Sequence, residues 1–189
     1  MPYILKKENG ILKEHRKKLE PHLCFLAKRI RAVARHYQES PDGRIPVYFY
    51  ACEELALKVQ PQKRYALLSA VRAVYSDANY EWCRKMKTRP AKLEFVGHKY
   101  SVLLQRIEKL VKEIKKITDA SKEPHLVWPG LLNYSLTVLG LKIMDDPKDK
   151  RFSALVAGTL KYLHGYFYEK YMAPYENEQE EKNGKMFPE

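Results

Sequence analysis

The chain is poor in glycine and in cysteine, and it lacks the short motifs that catalysis and metal binding need. Eight glycines in 189 residues leave little turn material for a many-stranded sandwich or barrel and favour helices. The three cysteines, Cys24, Cys52 and Cys83, lie far apart, with no CxxC pair. That spacing excludes a zinc knuckle or a redox dithiol motif. An odd count points to reduced thiols and the cytoplasm. Residues 1–10 hold no apolar core of the kind a signal peptide requires, so none is expected. No apolar run approaches the roughly 20 residues of a membrane span, so no membrane partner is expected either.

Histidine offers no better chemistry. His15 and His22 are two helical turns apart but have Pro21 between them, and His36, His98, His125 and His164 are isolated. There is no HExxH and no paired ExxH; no metal and no cofactor are expected. Ser135 and Ser153 lack the glycine elbow of a nucleophilic serine. Gly158 and Gly165 stand singly in helical stretches, so no phosphate-cradling loop exists. Glu53-Glu54 and Asp145-Asp146 read as helix surface and capping loop. Cys24 and Cys52 fall on apolar faces, where cysteine behaves as a small hydrophobe. The sequence reads as a non-catalytic protein.

What is abundant is positive charge. Thirty-five Lys and Arg stand against 23 Asp and Glu, for a net charge of +12 and a pI near 9.5. A balance this basic favours anionic partners. The charge is uneven: the first 37 residues are strongly basic, whereas Tyr175–Glu181 is acidic.

Residues 131–143 echo residues 47–59. At a spacing of 84 residues, Tyr50 meets Tyr134, Leu55 meets Leu139, Leu57 meets Leu141, Lys58 meets Lys142 and Val59 meets Ile143. Allowing three extra residues in the second copy, Lys63-Arg64-Tyr65 meets Lys150-Arg151-Phe152. A recurrence of this kind marks a duplicated structural unit. The expected fold is all-α: two pseudo-repeated three-helix units packed as a single bundle-like body. Residues 1–20 form an N-terminal arm, 21–90 unit one, 91–97 a linker, 98–172 unit two and 173–189 a polar tail.

The helices follow from 3.6-residue periodicity. Pro21 suits a first helical turn, and Leu23, Leu26, Ile30 and Val33 recur behind it. Residues 46–59 are apolar almost all round, which makes that helix central. A third helix covers 63–86. In unit two, Leu103, Ile107, Leu110, Ile114 and Ile117 form a clear stripe. Trp128-Pro129-Gly130 opens a fifth helix. Asp149 caps a sixth, which Ala173-Pro174 ends.

Several short segments resemble a family of small single-unit helical proteins of bacteria and their phages. They are Met1-Pro2-Tyr3-Ile4, Leu19-Glu20-Pro21, Leu132-Asn133-Tyr134, Ala173-Pro174-Tyr175-Glu176 and Asn183-Gly184. Unit one departs from the central motif, with Phe49 in the place of the asparagine. The resemblance implies a helical unit, here duplicated, and a phage or mobile-element setting, with no enzyme class.

Two constellations remain. Lys28, Arg31 and Arg35, and Lys109, Lys112 and Lys116, line the first helices of the two units, and Arg64 and Arg151 stand at the starts of the third helices. The plain reading is solvated helix surface; the functional one is a phosphate-tracking face. Asn133 and Tyr134 form a polar pair in an apolar helix, either a packing contact or a ligand contact. The leading expectation is binding of an anionic partner, nucleic acid first. The alternatives are a protein-interaction or assembly subunit and a nucleotide-sequestering protein; homo-oligomerisation stays open.

Overall fold

The structure is a computed structural model that describes residues 6–37, 43–59, 64–84, 87–92, 100–144, 146 and 149–183. The turn signals at 38–42 and 60–63, most of the linker, His98, Asp145, Pro147, the opening Met1–Ile4 and the closing Gly184 lie outside the described residues. Among the described residues every regular element is helical, and six helices pack together around one core. They are α1 (Lys6–Tyr37), α2 (Arg44–Val59), α3 (Arg64–Ala78), α4 (Leu104–Asp119), α5 (Pro124–Ile143) and α6 (Lys150–Phe167). A seventh helix, α7 (Ala173–Asn183), follows α6.

Three boundaries differ from the sequence expectation. First, residues 6–20 are not an arm: α1 runs unbroken through Pro21. A proline inside a helix costs about 3 kcal/mol. Leu19 and Leu23, on either side of it, are completely buried, at roughly 1.5–3 kcal/mol each. Burial of the stripe therefore matches the proline penalty. Second, Pro174 does not end the helical run. The π-helical turns Tyr168–Met172 carry α6 into α7, and the Ala173 N–H donates to the Tyr168 carbonyl. The wider π turn tolerates the next residue lacking an N–H. Third, α5 begins at Pro124 and reaches 20 residues, long and apolar enough by length and composition to cross a membrane. In this fold it is a core helix with α1, α2, α3 and α4 all packed on it. The Asp149 cap is present: its carboxylate accepts from the Arg151 and Phe152 N–H groups at 2.9 and 3.2 Å.

The helices stack in three layers of two. α1 packs on α4; α2 and α5 lie beneath them and touch each other; α3 and α6 form the layer below. This order explains composition. The middle helices are covered on both sides, so α2 buries Tyr48, Phe49, Ala51, Cys52 and Leu55 in close succession. The outer helices bury a single stripe each. On α1 the stripe is Leu19, Leu23, Leu26, Ala27, Ile30 and Val33; the same spacing recurs from Leu103, in the 3-10 turn Ser101–Leu103 that leads into α4, through Ile107, Leu110, Val111, Ile114 and Ile117 of α4. α3 and α6 both run on into π-helical turns, Asn79–Arg84 and Tyr168–Met172.

Most layer contacts join the first three helices to the last three: α1 with α5, α2 with α4, α3 with α5, α2 with α6. The two halves thus share one interior rather than owning one each.

Candidate anion-binding face

The outer surface of the α1–α4 layer collects the charge. On α1, Lys17, Lys18, Lys28, Arg29 and Arg35 are exposed, and between residues 15 and 36 the only carboxylate is Glu20. Glu20 points away from that surface, towards α5. On α4, Lys109, Lys112, Lys115 and Lys116 are exposed. Glu108 beside them is paired across layers with Lys58 of α2 at 3.5 Å. The two helices join at their surface where the Arg106 guanidinium lies over the exposed Phe25 ring, 5.4 Å from its centroid.

The sequence-predicted residues divide. Lys28 and Arg35 of α1 and Lys109, Lys112 and Lys116 of α4 are all exposed. Arg31 does not join them. At 3.6 residues per turn it sits about a sixth of a turn further round α1 than Lys28. There its Nη2 donates to the carbonyls of Lys142 and Met144 at 2.7 and 2.8 Å. Arg44 joins it, donating to the Ile143 carbonyl at 2.6 Å, with its guanidinium 5.3 Å from the Phe152 centroid. The last carbonyls of α5 have no helical partners of their own, and two cations at the negative end of its dipole satisfy them. Arg64 opens α3, but its side chain lies outside the described residues. Arg151 is exposed at the start of α6, in the layer farthest from α1 and α4. Sequence reasoning passed over Arg29 and Lys115, which are exposed, and Arg106, which is half-buried against Phe25.

Asn133 and Tyr134 face neighbouring helices. The Asn133 amide donates to Asp77 of α3 at 3.1 Å and its oxygen accepts from Thr137 at 3.3 Å. The Tyr134 hydroxyl donates to Glu20 of α1 at 2.9 Å, and the Arg16 guanidinium lies over its ring at 5.1 Å. Lys142 completes the group, 2.6 Å from the other Glu20 oxygen. The Lys142 contact holds the Glu20 carboxyl below its ordinary value, and Tyr134 adds to this against partial burial. Burial first, and then the Glu20 hydrogen bond, push the Tyr134 phenol up to about 12. The pair therefore ties α5 to α3 and α1. Sequence alone could not name Glu20 and Asp77, because both lie more than fifty residues away.

The buried thiols are quiet. Burial pushes the Cys52 thiol far above its usual range, which suppresses the thiolate. Among the described residues no three His, Cys, Asp or Glu side chains gather in a way that could hold a metal ion.

Residues 98–186 match a family model described as a domain of unknown function (DUF6899). The match begins where the sequence reading places unit two and leaves α1–α3 outside it. No curated protein and no solved structure matches the chain.

Proposed function

We propose that this protein is a non-catalytic nucleic-acid-binding module, and that the α1–α4 face is the binding surface. One observation carries the reading. α1 exposes Lys28, Arg29 and Arg35, and α4, packed on it, exposes Lys109, Lys112, Lys115 and Lys116, with no carboxylate paired to any of them among the described residues. Residues 15–36 of α1 hold seven Lys and Arg against Glu20 alone, whereas α4 also carries Glu108, Glu113 and Asp119, so the excess behind the net charge of +12 is strongest on α1. Phosphate backbones are the anion such rows suit, because each neutralised phosphate releases condensed counterions. The unbridged thiols and the resemblance of the end segments make a cytoplasmic, phage or mobile-element setting part of this proposal.

The test is binding of the full-length protein to labelled nucleic acid across a salt series. Log affinity should fall steeply with log salt, at about 0.9 per phosphate contact on a duplex. The triple change Lys109→Glu, Lys112→Glu and Lys116→Glu should weaken binding for every sequence tried and flatten the slope by about 3. An affinity that barely moves between about 50 and 200 mM salt would sink the reading.

A further inference from the structure

We infer that the protein carries a second nucleic-acid-binding surface, on the outward side of α6, and holds two nucleic-acid segments at once, one on each side of its body. This rests on the nucleic-acid reading above and extends it.

The first ground is a run of cations held in a fixed place. Between Glu81 and Glu94 the chain has five Lys and Arg and no acid. The segment 87–92 within that run is tied down twice. At its start the Lys87 and Thr88 N–H groups donate to the carbonyls of Arg84 and Cys83 at 3.1 and 2.8 Å, with Lys87 in the left-handed region at φ 56°. At its other end the Ala91 N–H donates to the Ala154 carbonyl of α6 at 2.9 Å. Gly158, one turn further along α6, admits the Ala91 backbone where a Cβ would come within 2.4 Å of its oxygen. The side chains this seat displays include Lys87, Arg89 and Lys92, all exposed.

The second ground is which side of α6 seats the segment. The core-facing stripe of α6 is Phe152, Val156, Leu160, Leu163 and Phe167. At 3.6 residues per turn, Ala154 and Gly158 stand about half a turn round from it. The segment therefore lies on the outward side of the helix. Arg151 and Lys161, three residues before Ala154 and three after Gly158, share that side and are exposed. Arg89, Lys92 and Lys161 have no carboxylate partner among the described residues. α6 belongs to the layer farthest from α1 and α4, with α2 and α5 between. With about 8–10 Å from one packed helix axis to the next, the two outer layers are roughly 16–20 Å apart.

The third ground is the stiffness of nucleic acid. A duplex of about 20 base pairs is nearly straight, because its persistence length is about 150 base pairs. Lying on the α1–α4 face, it does not fold round the body to reach α6. Cations on both outer layers thus serve two segments. Phosphate contacts carry no sequence information directly, so the two segments are free to differ.

A bridging assay with the full-length protein tests this. One duplex of about 20 base pairs is fixed to beads, and a second, fluorescent duplex is added with the protein at low salt. The parent protein should carry the fluorescent duplex onto the beads. The triple change Arg89→Glu, Lys92→Glu and Lys161→Glu should cut that capture about tenfold or more, while affinity of the protein for the beads falls only about twofold, as loss of one of two sites requires. The change Lys109→Glu, Lys112→Glu and Lys116→Glu should cut capture as deeply from the other side. Circular dichroism checks that each variant is folded, and the same positions changed to Gln give a milder set with the same expected direction. Capture that survives the α6-side changes would overturn the inference, and this is the outcome if self-association does the bridging. So would a parent protein that binds the beads and brings no second duplex. Both outcomes leave the nucleic-acid reading standing. A parent protein that does not bind the beads at all would remove both together.

Discussion

Tyr48 shows how single residues tie this fold together. It is completely buried in the middle layer, and its hydroxyl donates to the Leu136 carbonyl of α5 at 2.8 Å. Burial also holds its phenol well above the usual range. Tyr48→Phe should cost about 1 kcal/mol in a denaturant titration, the net value of one buried hydrogen bond. Glu20 works differently, because it is partly exposed and charged. Its carboxyl is held below the ordinary 4.5 by Lys142 first, so the unfolded chain takes up its proton before the folded one does. Its contribution is therefore present above that pH and is lost as pH falls through the lower folded value. Glu20→Gln should destabilise by about 0.5–1 kcal/mol at neutral pH, the scale of an exposed pair. The gap to the parent protein should close in acid; a gap constant from pH 7 to pH 3 would contradict the role assigned to this carboxylate.

Helices are shaped by what crosses them. Ala91 donates its backbone N–H to the Ala154 carbonyl of α6 at 2.9 Å, which brings the segment 87–92 against that helix. A Cβ on Gly158 would run into the Ala91 carbonyl and backbone, whereas a Cβ on Gly165 would meet nothing. Two glycines on one helix thus have opposite reasons to be there. Gly165→Ala should stabilise by about 0.5–1 kcal/mol through helix propensity. Gly158→Ala should lower the melting temperature, because a backbone cannot give way as a side-chain tip can. Neither answer was legible in the sequence, where both appear as lone glycines in a helical pattern. The stripes of α1 and α4 were legible in full, since burial on one side imposes a period that neighbours in sequence record. The reach of α1 back to Lys6 was not, because Pro21 is a local signal and the packing that outweighs it comes from α4 and α5.

At the scale of the molecule, the halves interlock. α5 sits among α1, α2 and α3 as well as α4, and α2 touches both α4 and α6. A protease site inserted into the 91–97 linker should yield, after cleavage, two pieces that stay together on size exclusion at neutral pH and part only in denaturant. Separate folded halves would show that each owns its core. The layered order also explains why α5 is long and apolar enough to cross a membrane: a helix covered from two sides needs no polar face.

The sequence by itself determined the helical class, the apolar stripes, the concentration of charge near the N-terminus and on α4, and the recurrence of residues 47–59 at 131–143. All of these are read over a few turns of chain, where period and composition act. Only the tertiary structure decided which cations stay outside. Lys28 and Arg31 are one turn apart, yet one faces water and the other caps a helix whose last carbonyls lie more than a hundred residues away. A guanidinium follows the acceptors it can reach, and those are set by how the layers stack.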